Sequence, residues 1–174
     1  MPMPVMPGIG CLMRRTEGIV IFRSLVVIAA LALGVSGVVA QQQQEADKAA
    51  KAQQDLMKSQ GKSQYGVLAR IARGQSPYDQ AAVDAALAQM EQDVGKIAVT
   101  FAEKPKANLP DAQYVASPKI WENKADFDSK IPPVLAAIRG VKGKITDVAS
   151  TKAAFEEINA KCNGCHETYQ LKVK

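Results

Sequence analysis

Residues 161–174 read KCNGCHETYQLKVK, and within them Cys162, Cys165 and His166 form a Cys-x-x-Cys-His motif. These five positions suit three chemistries: a metal site, a redox dithiol, or covalent attachment of a haem. Which of them applies decides what the rest of the chain is built to enclose.

Working back from the motif, the spacing of apolar residues is helical throughout. The last helix is expected to start near Ser150 and to present Phe155, Ile158, Cys162, Cys165 and Tyr169 on one side. Before it, GVKGK (residues 140–144) makes a turn, and a third helix opens at SPKIW with Ser117 as N-cap and Pro118 in the first turn. Its stripe is Ile120, Phe127, Ile131, Val134, Ile138 and Val141, and Pro132 and Pro133 should kink or split it because each lacks an amide donor. A Lys- and Pro-rich loop, residues 103–116, separates it from a second helix. That helix carries Val83, Leu87, Met90, Val94, Ile97 and Phe101 in steps of four and three, a seam suited to near-antiparallel neighbours. The first helix places Met57, Gly61, Gln64, Leu68 and Ile71 on one face and ends at Gly74, where GQSPYD supplies the turn. No stretch alternates with period two, so no sheet is expected. The pattern predicts an all-α, antiparallel up-down-up-down four-helix bundle.

The beginning of the chain reads differently. Arg14, Arg15 and Arg23 precede the apolar run LVVIAALALGV (Leu25 to Val35), and SGVVA ends in small residues at Val38 and Ala40. A basic region, a short apolar core and a small-residue cleavage site together predict a signal peptide over 1–40, removed to leave a domain of 41–174. The core is shorter than the ~20 residues of a spanning helix, so no stable membrane insertion is expected after cleavage. Export implies a periplasmic location. It also removes Cys11, leaving Cys162 and Cys165 as the only cysteines and His166 as the only histidine.

The 174 residues are the length of one domain, and only 5 % are aromatic, which favours closely packed helices. Of the 22 basic and 17 acidic side chains, three arginines and one glutamate belong to the leader, so the remainder nets +3. Such a mixed surface carries no nucleic-acid footprint.

The motif can now be weighed. Structural zinc wants four ligands in a tetrahedron, and here at most three lie on one helical turn with none left to complete the shell. A catalytic dithiol wants a helix N-terminus after a strand, whereas this motif is near the end of a helix. Haem accounts for every residue: thiols at i and i+3 add to the two vinyl groups, and the histidine at i+4 reaches the iron. Cys162 and Cys165 are thus assigned to one covalent haem c, with His166 as axial iron ligand. Phe155 and Ile158, upstream on the same face, are expected to cover the ring.

A four-helix bundle with this motif on its last helix resembles the class II c-type cytochromes, the cytochrome c′ family. The likeness covers residues 42–172 and rests on GQSPYD, ASPKIW and KCNGCHETY. Two features depart from the family pattern: Gln170 stands where a basic residue commonly follows the tyrosine, and Pro132–Pro133 interrupts the third helix. Relatives often dimerise through the first two helices, so the resemblance implies a homodimer.

The resemblance also frames the sixth iron position. Six-coordinate members place a first-helix methionine there in a stretch close to Met-Lys-x-x-Gly, and this chain has MKSQG from Met57 to Gly61. Met57 is therefore the implied second axial ligand, while Met90 belongs to an apolar seam as core filler. Three readings follow. The preferred one is a periplasmic one-electron carrier with redox partner proteins, in which Lys161 and Lys172 beside the haem edge steer an acidic partner. The alternative is a five-coordinate haem protein binding small gases such as NO or CO. A haem enzyme such as a peroxidase would need a distal acid–base group, and neither a second histidine nor paired carboxylates stand near Met57, so no enzymatic activity is expected.

Overall fold

Helix ends in this chain are set by local chemistry that can be named residue by residue. The computed structural model describes residues 48–173, and the expected leader, its cleavage site and the start at Gln41 lie outside them. Helix α1 covers residues 48–72 and passes through a π-helical stretch at Gln64–Leu68. It closes on Gly74, whose φ of 68° only glycine adopts without strain. The Gly74 amide donates to the Ile71 carbonyl at 2.9 Å and the Gln75 amide to that of Arg70 at 2.8 Å, the two bonds of a Schellman stop. After Pro77, Asp79 caps α2, Gln80–Thr100, by accepting from the Ala82 amide at 3.2 Å.

The third helical region is broken into three pieces: α3, Lys119–Glu122; α4, Lys124–Ser129; and α5, Ile131–Val141. The split expected from the double proline falls at Lys130, so that Pro132 and Pro133 sit in the first turn of α5, where a missing amide costs nothing. A second break comes at Asn123, whose side chain caps α4 through the Asp126 amide at 3.2 Å. Pro118 takes the N-cap position of α3, one residue later than expected, and Ser117 before it accepts from the Lys119 amide at 3.3 Å. Helix α6, Val148–Tyr169, begins at a capping box in which Asp147 and Ser150 each bond the other's backbone.

The four long helices α1, α2, α5 and α6 form the bundle. Helix α2 packs on α5, and α6 packs on α5 and on the end of α1. The seam predicted for α2 is the buried one, with Val83, Leu87, Met90, Val94 and Phe101 all inside. Two apolar clusters result. One gathers Leu68, Ile71, Leu87, Met90, Val94, Ile138, Ile158 and Cys162. The other gathers Leu56, Phe101, Ile120, Phe127 and Tyr169.

The expectation of no sheet is corrected in one place. Strand β1, Tyr114–Ala116, pairs antiparallel with β2, Gln170–Lys172, in the register Tyr114↔Lys172, Val115↔Leu171 and Ala116↔Gln170. The Ser117 amide donates to the Tyr169 carbonyl and that of Val173 to Gln113, each at 2.9 Å. Strands of three residues are too short for alternation to register, which is why the pattern missed them. This clasp ties the loop before α3 to the end of α6.

Candidate haem site

A cavity of about 820 Å³ opens where the two apolar clusters meet. Helix α1 contributes Met57, Gln60 and Gln64; α2 contributes Val94 and Ile97, with Phe101 at its end. Ile120 and Trp121 of α3, Phe127 of α4 and Ile131 and Val134 of α5 line it, as do Cys162, Cys165, His166 and Tyr169 of α6. The loop over residues 104–116 completes the wall, held there by the β1–β2 clasp. A cavity of this size, mostly apolar with a few convergent polar groups, is what encloses a cofactor-sized molecule.

The donor chemistry fits a haem. Both cysteines are free thiols at the cavity wall. Burial first, then the neighbouring Cys165, pushes the Cys162 thiol up to about 11, and burial likewise raises Cys165. A redox dithiol needs the opposite shift, toward an accessible thiolate. Burial also lowers the pKa of His166, so its imidazole is neutral and keeps a free lone pair for a metal. Among the described residues no cluster of His, Cys, Asp or Glu provides three metal ligands together.

The structure thus brings four sequence-derived candidates, Met57, Cys162, Cys165 and His166, to one cavity from the first and last helices. Met90 is fully buried in the core cluster and does not reach it. Trp121 lines the cavity with its indole N–H donated to the Phe101 carbonyl at 3.1 Å, a packing role.

Other expectations are corrected. Ile158 and Phe155 do not line the cavity. Ile158 is wholly buried in the core, and Phe155 meets Tyr65 edge-on at 5.8 Å between ring centroids. Both lie earlier on α6, in the part that packs against the bundle core rather than the cavity. Lys161 is exposed off the cavity and Lys172 belongs to β2; the lysines at the cavity are Lys58, Lys104, Lys106 and Lys130. Cavity residues the sequence pattern did not single out include Gln60 and the 104–116 loop. Gln60 is i+3 from Met57, but the stripe from Met57 through Gly61 to Gln64 steps past it.

A four-helix bundle whose last helix carries Cys-x-x-Cys-His at a half-open apolar cavity defines a helical c-type cytochrome. Residues 48–170 match the Cytochrome C′ family, and the chain belongs to it. It is 54 % identical over 152 residues to cytochrome c-555 of Bradyrhizobium diazoefficiens, covering 87 % of this chain and 99 % of that one. It is 43 % identical over 151 residues to cytochrome c-556 of Rhodopseudomonas palustris, covering 86 % and 97 %. A structure of oxidized R. palustris cytochrome c556 superposes with a TM-score of 0.64 at 40 % identity, over 74 % of this chain and 99 % of that one. As a class II c-type cytochrome the protein carries one covalent haem c and serves electron transfer rather than enzymatic catalysis.

Proposed function

We propose that Cys162 and Cys165 carry the two thioether bonds, that His166 and Met57 are the axial iron ligands, and that the protein shuttles single electrons in the periplasm. The observation that carries this reading is the meeting of Met57 and His166 at one cavity while Met90, the other methionine of the described residues, is buried elsewhere. The bound haem supplies a one-electron ferric/ferrous couple. The chain's part is to hold that group still and dry. His166 offers a neutral nitrogen and Met57 a thioether, which favours the ferrous state and raises the potential. Phe101, Ile120, Phe127 and Ile131 exclude water from the walls.

Optical spectra of both oxidation states test the ligand set. Low-spin bands with a weak sulfur-to-iron charge-transfer absorption in the ferric form are expected, with slow or incomplete binding of carbon monoxide. In Met57→Ala the iron should turn high-spin and the potential should fall. A wild type that is already high-spin and binds carbon monoxide at once would make Met57 a packing residue and give first place to the gas-binding alternative.

Export is part of the proposal. Among the described residues no helix is long and apolar enough to cross a membrane. The mature chain should start at Gln41, which mass spectrometry of the periplasmic fraction reads directly. Recovery of the intact leader in membranes would contradict it. A homodimer through α1 and α2 is the remaining part of the proposal, and sedimentation velocity decides it.

A further inference from the structure

Gln60 lies three residues beyond Met57 on α1 and lines the same cavity. Its side chain is buried, 8 % exposed, and neither Nε2 nor Oε1 has a hydrogen-bond partner. A buried polar group left in that state is costly, so its partner is to be sought in what the cavity holds. The other glutamines of this face are all engaged by the protein. Gln53 Nε2 donates to the carbonyls of Thr100 at 3.3 Å and Glu103 at 3.0 Å. Gln54 Oε1 accepts from Lys58 Nζ at 2.7 Å, and Gln64 Nε2 donates to Asn159 Oδ1 at 3.0 Å.

Position along α1 narrows the partner further. Its bond to Asn159 ties the Gln64 side chain to α6 one turn before Cys162, the residue to which a vinyl group would be tethered. Gln60 falls between Gln64 and Met57 in the helix. Propionates leave a porphyrin at the edge opposite its vinyls, so a haem tethered at Cys162 would direct them away from the Gln64 side of Met57, where Gln60 lies. Three residues from Met57 on one helix, it would face the cavity beside the ligand proposed for the sixth coordination position.

We propose that Gln60 is a hydrogen-bond donor for a small diatomic ligand that replaces the Met57 thioether at the iron. This rests on the assignment of Met57 and His166 given above. The exchange breaks one iron–sulfur bond and forms one iron–ligand bond, with no electron gained or lost. The Gln60 amide N–H then meets the outer atom of the ligand, and the otherwise orphaned donor is satisfied. The electron carrier thereby has a second, ligand-bound state that a wholly apolar distal wall would not stabilise.

Carbon monoxide is the probe, because a donor aimed at its oxygen lowers the C–O stretching frequency. The ferrous carbonyl of Met57→Ala is compared by infrared spectroscopy with that of Met57→Ala/Gln60→Leu, assembly being checked by haem content. The stretch should move to higher frequency when the amide is lost. An unchanged frequency overturns the proposal. Should the leucine variant fail to assemble, Met57→Ala/Gln60→Met makes the same comparison. If wild-type iron proves open at the sixth position, the Met57 assignment fails by itself. Gln60→Leu in the wild-type background then tests the donor independently.

Discussion

The phenolic hydroxyl of Tyr169 donates a hydrogen bond to the Asp126 carboxylate and so joins the end of α6 to α4 at the cavity wall. The same carboxylate pairs with Lys130 at 3.2 Å, while the Tyr169 carbonyl accepts from the Ser117 amide at 2.9 Å. His166 sits one turn before Tyr169, so this anchoring fixes the segment that presents the imidazole.

Tyr169→Phe should therefore lower the melting temperature of the holoprotein at neutral pH. The Tyr169 bond, with that from Lys130, holds the Asp126 carboxyl below its usual range, and the Tyr169 phenol is pushed up to about 12 by Asp126 and by burial. A depressed carboxyl stabilises above its unfolded pKa, and that contribution is lost as pH falls through the folded value. A raised phenol stabilises below its unfolded pKa of roughly 10 and loses this as pH rises toward 12. The gap between wild type and Tyr169→Phe should thus be widest between those limits and narrow at both. Melting curves across the pH range check it; a gap independent of pH would assign the loss to packing alone.

Thioether attachment through both cysteines predicts that acid–acetone leaves the colour with the protein. Cys162→Ala or Cys165→Ala should each sharply reduce the yield of holoprotein, with one remaining bond visible in the pyridine haemochrome spectrum. Haem that extracts freely from the wild type would contradict the assignment.

Ile158 lies in the core and not at the cavity, which separates two effects of its truncation. Ile158→Ala should cost about 2–5 kcal/mol, the range for emptying a packed aliphatic site. The visible spectrum and the potential should stay as in the wild type, since no cavity wall has moved. Met90→Leu, nearly volume-conserving in the same cluster, should cost less than about 1.5 kcal/mol. Denaturant unfolding gives both values, and a spectral change in Ile158→Ala would place it at the haem after all.

The contrast between Ile158 and the motif shows what the chain states locally and what it does not. Helical spacing located the α2 seam from Val83 to Phe101, because one periodic face meets one core. The Cys-x-x-Cys-His triplet was legible because all its members sit within two turns of one helix. Spacing alone gives a face and not the neighbour that face meets, so it places Ile158 and Phe155 over the cofactor when they belong to the bundle core. The clasp between β1 and β2 joins segments far apart in the chain and has no local signature. The lysines at the cavity were missed for the same reason, because the loop that carries two of them is held in place by that clasp.

Those lysines give the last prediction. Lys58, Lys104, Lys106 and Lys130 line the cavity beside a single carboxylate, Asp111. Charges of one sign around a cavity with low-dielectric walls focus the field and speed the approach of opposite charge. Lys104 and Lys106 are exposed and lie away from the four proposed haem-binding residues in sequence, so their reversal leaves the ligand set intact. Lys104→Glu/Lys106→Glu should slow oxidation of the ferrous protein by anionic ferricyanide, roughly tenfold at low salt. The same variant should speed oxidation by a cationic cobalt complex. Both effects should shrink as ionic strength rises toward 0.15 M, where the screening length is about 8 Å. Stopped-flow traces with the two oxidants make the comparison. Equal slowing by both would mean that the substitutions had disturbed the cavity, and equal rates would remove the lysine-rimmed mouth as the route by which electrons leave.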